Sequence, residues 1–137
     1  MEKIVIDSTG GPRAFEVEIA ADDASRANGL MHRTQLAPRT GMLFDFKSPV
    51  MVTFWMKDTP LPLDMLFVRA DGTISTIAAD AAPFSTAAIF SAEPVRAVIE
   101  INGGLAQTLG IDPGGKVHAA QFAHRHCAEA LLNKCKE

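Results

Sequence analysis

Apolar and charged residues alternate through Phe15, Glu16, Val17, Glu18 and Ile19, the period of two that gives a strand one dry and one wet face. Before it, Lys3 to Asp7 is a short β-prone run that ends in a Gly10-Gly11-Pro12 turn. Asp22 or Asp23 is placed to cap a short helix through Ala24, Arg26 and Ala27, with Asn28-Gly29 as a left-handed stop. Leu30 and Met31 then fold back onto the sheet. Further strands are predicted over Met42 to Phe46, ended by Lys47-Ser48-Pro49, over Val50 to Lys57 and over Leu63 to Ala70. Asp71-Gly72 is a strong hairpin signal leading into Thr73 to Ala79, whereas the small, proline-bearing stretch Asp80 to Glu93 reads as a loop. Val95 to Ile101 is a buried-type strand broken by Asn102-Gly103-Gly104. Leu105 to Leu109 is one helical turn ended by Gly110, and Asp112-Pro113-Gly114-Gly115 turns into a last strand, Lys116 to Ala120. The expected fold is a mostly β single domain with short helices, a small antiparallel barrel or sandwich over residues 1–122, followed by a helical tail over 123–137.

Antiparallel pairing around Asp58 to Leu63 sets Lys57 opposite Asp64, Met56 opposite Met65 and Phe54 opposite Phe67. One face then collects Met42, Phe44, Phe46, Val52, Phe54, Met56, Met65 and Phe67 as a core. The other carries Leu43, Asp45, Thr53, Trp55, Lys57, Asp64, Leu66 and Ile77, an apolar floor with an indole and an ion pair at one end. That composition is the one expected of a ligand-binding surface.

Bulk properties narrow the classes. A chain of 137 residues, 47% of them apolar, is long enough for one core without staples. Its net charge of -3 lacks the basic stripe that nucleic acid requires. No apolar run reaches the roughly 20 residues of a transmembrane helix, and Met1-Glu2-Lys3 lacks the layout of a signal peptide. Cys127 and Cys135 staple no core. In a helix, positions eight apart are about 12 Å apart, too far for a disulfide.

Chemistry concentrates in Trp55, Lys57, Asp58, Thr59 and Asp64, with Arg33 joining if the loop after Met31 covers that face. Lys57 can bind an anionic or carbonyl group while Asp64 orients it or acts as a base. The same residues also serve as a cross-strand ion pair that fixes a hairpin, with Asp58 and Thr59 bonding local amides. Met31, Met42, Met51, Met56 and Met65, with His32, supply ligands of the kind Cu(I) prefers, but the alternation already assigns Met42, Met56 and Met65 to the core. His124, His126, Cys127 and Cys135 match none of the strong zinc spacings. No metal or cofactor is therefore assigned. Phosphate-loop and nucleophile-elbow motifs are absent.

Asn28-Gly29-Leu30-Met31-His32-Arg33, Gly41-Met42-Leu43-Phe44-Asp45-Phe46, Phe54-Trp55-Met56-Lys57-Asp58-Thr59, Pro62-Leu63-Asp64-Met65-Leu66-Phe67 and Gly72-Thr73-Ile74 resemble successive blocks of the uncharacterised domain of unknown function 192 family. Ile99-Glu100-Ile101-Asn102-Gly103-Gly104 and Gly110-Ile111 to Val117 fit as well, so the resemblance runs from about Phe15 to Val117. It implies a compact β-rich fold and often an exported, periplasmic protein, and it implies no reaction. Asp58 stands where Asn is common in that family, and Gly115 where Asp is usual. Three functions are compatible with the sequence. The first is a non-enzymatic module binding a small or extended ligand on the face with Trp55, Lys57 and Asp64. The others are a hydrolase or lyase using Lys57 with Asp64 or Asp58, and a structural or protein-interaction domain.

Overall fold

The structure, a computed structural model, describes residues 1–122; the predicted tail helix and its cysteines and histidines lie outside them. Strands β1 (Glu2–Ser8), β2 (Gly11–Ala20), β3 (Thr40–Val50), β4 (Thr53–Phe54), β5 (Leu63–Val68), β6 (Ile74–Ala81), β7 (Ile89–Phe90), β8 (Val95–Asn102) and β9 (Val117–His118) are accompanied by helices α1 (Asp23–Asn28) and α2 (Leu105–Leu109). Seven strands form one sheet in the order β6-β5-β8-β3-β2-β1-β9. It curls into a half-barrel, and its outer strands approach where Thr73 bridges to Lys116 and the Val117 amide donates to the Gly72 carbonyl at 2.7 Å.

Local chemistry explains the ends of elements. Asp22 caps α1, accepting from the Ser25 amide at 2.7 Å while the Ser25 hydroxyl receives the Asp22 amide, a reciprocal box that satisfies two otherwise free donors. Asp71 accepts from both the amide and the hydroxyl of Thr73, which fixes the turn into β6 and holds the Asp71 carboxyl below its ordinary range.

Two differences from the expected pairing matter for function. First, β2 and β3 run parallel, joined by a crossover that contains α1, so the sheet is not wholly antiparallel. Second, Val50 to Lys57 and Leu63 to Ala70 do not pair as a hairpin. β5 lies between β6 and β8, with Asp64 opposite Ile101 and Met65 opposite Glu100, while β4 pairs with β7 in a separate two-stranded sheet. Every residue of β5 is buried, so the strand has no wet face, and its apolar residues are best satisfied in the sheet interior. Pro60 and Pro62 supply no N–H to a ladder, and Asp58 sits at φ 56, so the chain between β4 and β5 leaves the sheet.

The two faces of the central strands pack into separate clusters. Leu43, Leu66, Val68, Ala97, Ile99 and Ile101 join residues of β1, β2, β6, β9 and α2 in the first, with Ile77 packed against it. Met42, Phe44, Val52, Met56, Leu63, Met65, Phe67, Val95 and Val98 form the second, with Phe46 and Phe54 packed against it. The residues expected to share a core do so. The expected ligand face does not exist, since Leu43, Leu66 and Ile77 belong to the first core.

Gly41 is required where β3 meets β8: a methyl group there would run into the Glu100 carbonyl oxygen and press on Ile101. Gly41→Ala is expected to destabilise the domain by about 1–3 kcal/mol, the usual cost of overpacking. Equal denaturation midpoints for the two proteins would refute that tight approach.

Candidate functional site

Between the second core cluster and the β4–β7 lobe lies a cavity of about 410 Å³. Its buried wall includes Leu30, Phe44, Val52, Met56, Leu63 and Glu100; its mouth is marked by the exposed Ala27, Met51, Thr53 and Trp55. Phe54 organises the aromatic part of the wall, meeting Phe44, Phe46 and Phe67 edge-on at ring-centroid distances of 5.0, 6.3 and 6.3 Å. The helical side of the mouth is held by Arg26, which donates to the Asp45 carbonyl and to Asp23 and lies over the Phe46 ring. Asp45 itself is bound by Arg96 from β8. The lobe is fastened by mutual bonds of Val52 and Ser91, by the Met56 amide to the Ser85 carbonyl at 2.9 Å and by the Phe84 amide to the Thr59 carbonyl at 3.0 Å.

Trp55 is 47% exposed at the mouth, and the Lys57 ammonium lies 5.3 Å from its ring centroid. Thr59 is buried on the cavity wall, its hydroxyl donating to the Lys57 carbonyl. Asp58 is exposed with a positive φ, a conformation that Asn and Asp tolerate better than most residues, and its carbonyl accepts the His32 amide at 2.7 Å. That bond brings the loop after Met31 to the mouth, and Met31 lines the cavity. Arg33 does not join it. Its guanidinium is paired with both oxygens of Glu18 at 2.5 and 2.8 Å, and that hydrogen bonding holds Glu18 below the ordinary glutamate range.

Asp64 is elsewhere and has a different task. Fully buried, it accepts the amides of Asp80 at 2.8 Å and Gly104 at 2.9 Å on one oxygen and that of Ala106 at 2.8 Å on the other. Gly104, the residue before α2, has no side chain to cap that helix, so a carboxylate from β5 supplies the cap and meets the positive end of the helix. Lys57 and Asp64 therefore do not form the cross-strand pair expected from the sequence.

Glu100 is the group that the motif reading passes over. It occurs in β8, within Val95-Arg96-Ala97-Val98-Ile99-Glu100-Ile101, where an acid interrupts a buried-type strand, and that interruption is the signal. The residue is 4% exposed on the cavity wall, and burial pushes its carboxyl up to about 8. No hydrogen bond from the described residues reaches it, and desolvation is the cause of the shift.

A curled β half-barrel with an open-mouthed cavity and a buried acid on its wall defines a class of small single-domain proteins by form, not by reaction. The chain belongs to the domain of unknown function 192 family, described as uncharacterized ACR, whose model matches residues 4–119. Among solved structures it is similar to a proposed transcription regulator from Sinorhizobium meliloti 1021, at 46% identity over 88% of this chain and 94% of that one, with a TM-score of 0.85. It is also similar to a protein of unknown function from Novosphingobium aromaticivorans DSM 12444, at 44% identity over 85% of this chain and 84% of that one, with a TM-score of 0.83. No curated protein matches it.

Of the three buried acids among the described residues, Asp45 is paired with Arg96, and the other two predict opposite behaviour. Asp64→Ala strands three backbone amides and is expected to cost roughly 3 kcal/mol or more in urea unfolding; a loss below 1 kcal/mol would show that α2 does not depend on that carboxylate. For Glu100 the proton affinity rises from 4.5 to about 8 on folding, so between those values the unfolded chain ionises while the folded one keeps its proton. Stability should therefore fall as pH rises through that window, by up to about 1.4 kcal/mol per pH unit, and level off above it. Glu100→Gln should flatten that part of the profile, and an unchanged slope in the variant would refute the assignment.

Proposed function

We propose that this domain is a non-enzymatic binding module that takes a small, largely apolar ligand into the cavity beside Trp55. The observation that carries the reading is the cavity itself: about 410 Å³, walled mostly by aromatic, methionine and leucine side chains with Arg26, Thr59 and Glu100 among them, entered past a half-exposed indole. Ligand sites have this composition, an apolar wall with few polar groups. The hydrolase or lyase alternative needs Lys57 and a carboxylate facing one open space; Asp64 is instead consumed by three backbone amides, and Asp58, the other candidate, is exposed and does not line the cavity. Lys57 keeps a place at the mouth through Trp55, and Thr59 a place on the wall.

Trp55 is the one tryptophan of the chain, so its emission reports on the cavity without a label. Titration with ethylbenzene should shift that emission saturably. The double variant Ala27→Phe, Thr53→Phe, which narrows the mouth from two exposed positions, should weaken the response at least tenfold with little change in Tm. A linear, unsaturable response in the native protein, or an unaffected one in the narrowed variant, would dismiss the cavity as a binding site.

A further inference from the structure

The cavity has one buried acid in its wall, which also includes the buried Thr59, and the acid's position is built by the sheet. β8 sets Glu100 opposite Met42 of β3 on one side and Met65 of β5 on the other, and both methionines belong to the second core cluster, as does Val98 two residues earlier on the same face of the strand. The side chain thus faces the cavity from a floor of thioethers and aromatic rings. Resting on the binding reading above, we propose that Glu100 is the recognition group of this cavity, its carboxyl donating a hydrogen bond to the carbonyl oxygen of a neutral, otherwise apolar ligand such as a ketone, ester or amide.

Three observations carry this. The residue is 4% exposed on the cavity wall and no hydrogen bond from the described residues reaches its carboxyl, which leaves that group available to a ligand in the cavity. A carboxyl that keeps its proton at neutral pH presents one donor, which a carbonyl oxygen satisfies and a hydrocarbon does not. The charges around the cavity oppose a cationic ligand: Arg26 lies over Phe46 and Lys57 over Trp55, so two cations already occupy faces of rings that line it. Of the described side chains lining the cavity, Arg26 and Glu100 are the ones that carry ionisable groups, and the guanidinium is committed to Asp23 and the Asp45 carbonyl. β3 and β5 present methionines to Glu100, so no neighbouring charge on those strands competes for its proton at the paired positions.

Binding of acetophenone, of its hydrocarbon counterpart ethylbenzene and of benzylamine to the full-length chain, followed by ligand-observed NMR at pH 6.5 and pH 9.5, tests the assignment. The ratio of acetophenone to ethylbenzene affinity should be about tenfold higher in the native protein than in Glu100→Leu at pH 6.5. Acetophenone affinity should fall at pH 9.5 in the native protein, by up to about tenfold for each pH unit beyond the carboxyl's midpoint. Glu100→Gln, whose amide still donates but does not titrate, should keep acetophenone binding at both pH values, which separates recognition from a loss of folding in the leucine variant. An affinity ratio that is the same with and without the acid, or a pH response shared by Glu100→Gln, overturns the role of Glu100 while leaving ethylbenzene binding, and with it the module, intact. Benzylamine binding that strengthens toward pH 9.5 and disappears in Glu100→Gln overturns it in favour of an amine site. Failure of all three compounds to bind the native protein removes both this inference and the reading beneath it.

Discussion

β8 passes through the middle of the sheet with β3 hydrogen-bonded along one edge and β5 along the other, and each of its faces meets a packed cluster. Such a strand offers no solvated side, so every side chain it carries must be accommodated by its neighbours. Valine, alanine and isoleucine meet that demand without cost; a glutamate does not. The close approach of β3, which needs a glycine at position 41 against the Glu100 carbonyl, leaves no slack for the strand to twist the acid outward. The cavity beyond β8 is consequently both the space the acid faces and the space it makes unlike an ordinary core void.

Neighbouring strands thus hold two buried acids in contrasting surroundings. On β5, Asp64 meets three amides delivered by β6, by Gly104 and by the first turn of α2, so both its oxygens are hydrogen-bonded and the chain ends around it are fixed. On β8, Glu100 meets thioethers and rings and keeps its proton instead. Burial is the same in kind; the supply of donors differs. Asp64 is explained by the fold it supports, whereas Glu100 receives no such hydrogen bonds from the described residues.

Local features were legible in the amino-acid sequence because they are short-range. The Asp22 cap, the Asp71-Gly72 turn and the alternation through Phe15 and Val17 depend on residues within a few positions of one another, as does the Gly110 end of α2. The grouping of Met42, Phe44, Phe54, Met56, Met65 and Phe67 was legible too, since any arrangement that buries alternate residues collects them. Pairing partners were not. That β5 chooses β8 and β6 over β4, and that β2 and β3 run parallel around α1, depends on contacts far apart in the chain. The assignment of Asp64 to a surface with Lys57 failed for that reason alone. Trp55, Lys57 and Thr59 stay near the cavity because they lie on the segment that leaves the sheet, whatever β5 pairs with.

A chain whose local preferences, patterning and polar satisfaction all agree needs no further explanation, and its exceptions are where function concentrates. Asp45 on β3 is met by Arg96 of β8, which leaves two acids, Asp64 and Glu100, as exceptions to the apolar pattern of the central strands. Tracing donors to Asp64 removes the first exception, because the helix that lacks a capping side chain receives one from β5. The same tracing applied to Glu100 ends at the cavity wall. What would distinguish that cavity from a packing defect is therefore chemical: a void lined only by hydrocarbon gains nothing by being specific, whereas one with a carboxyl on its wall would, in the role proposed for Glu100, discriminate between ligands of equal size by whether they bring an acceptor to it.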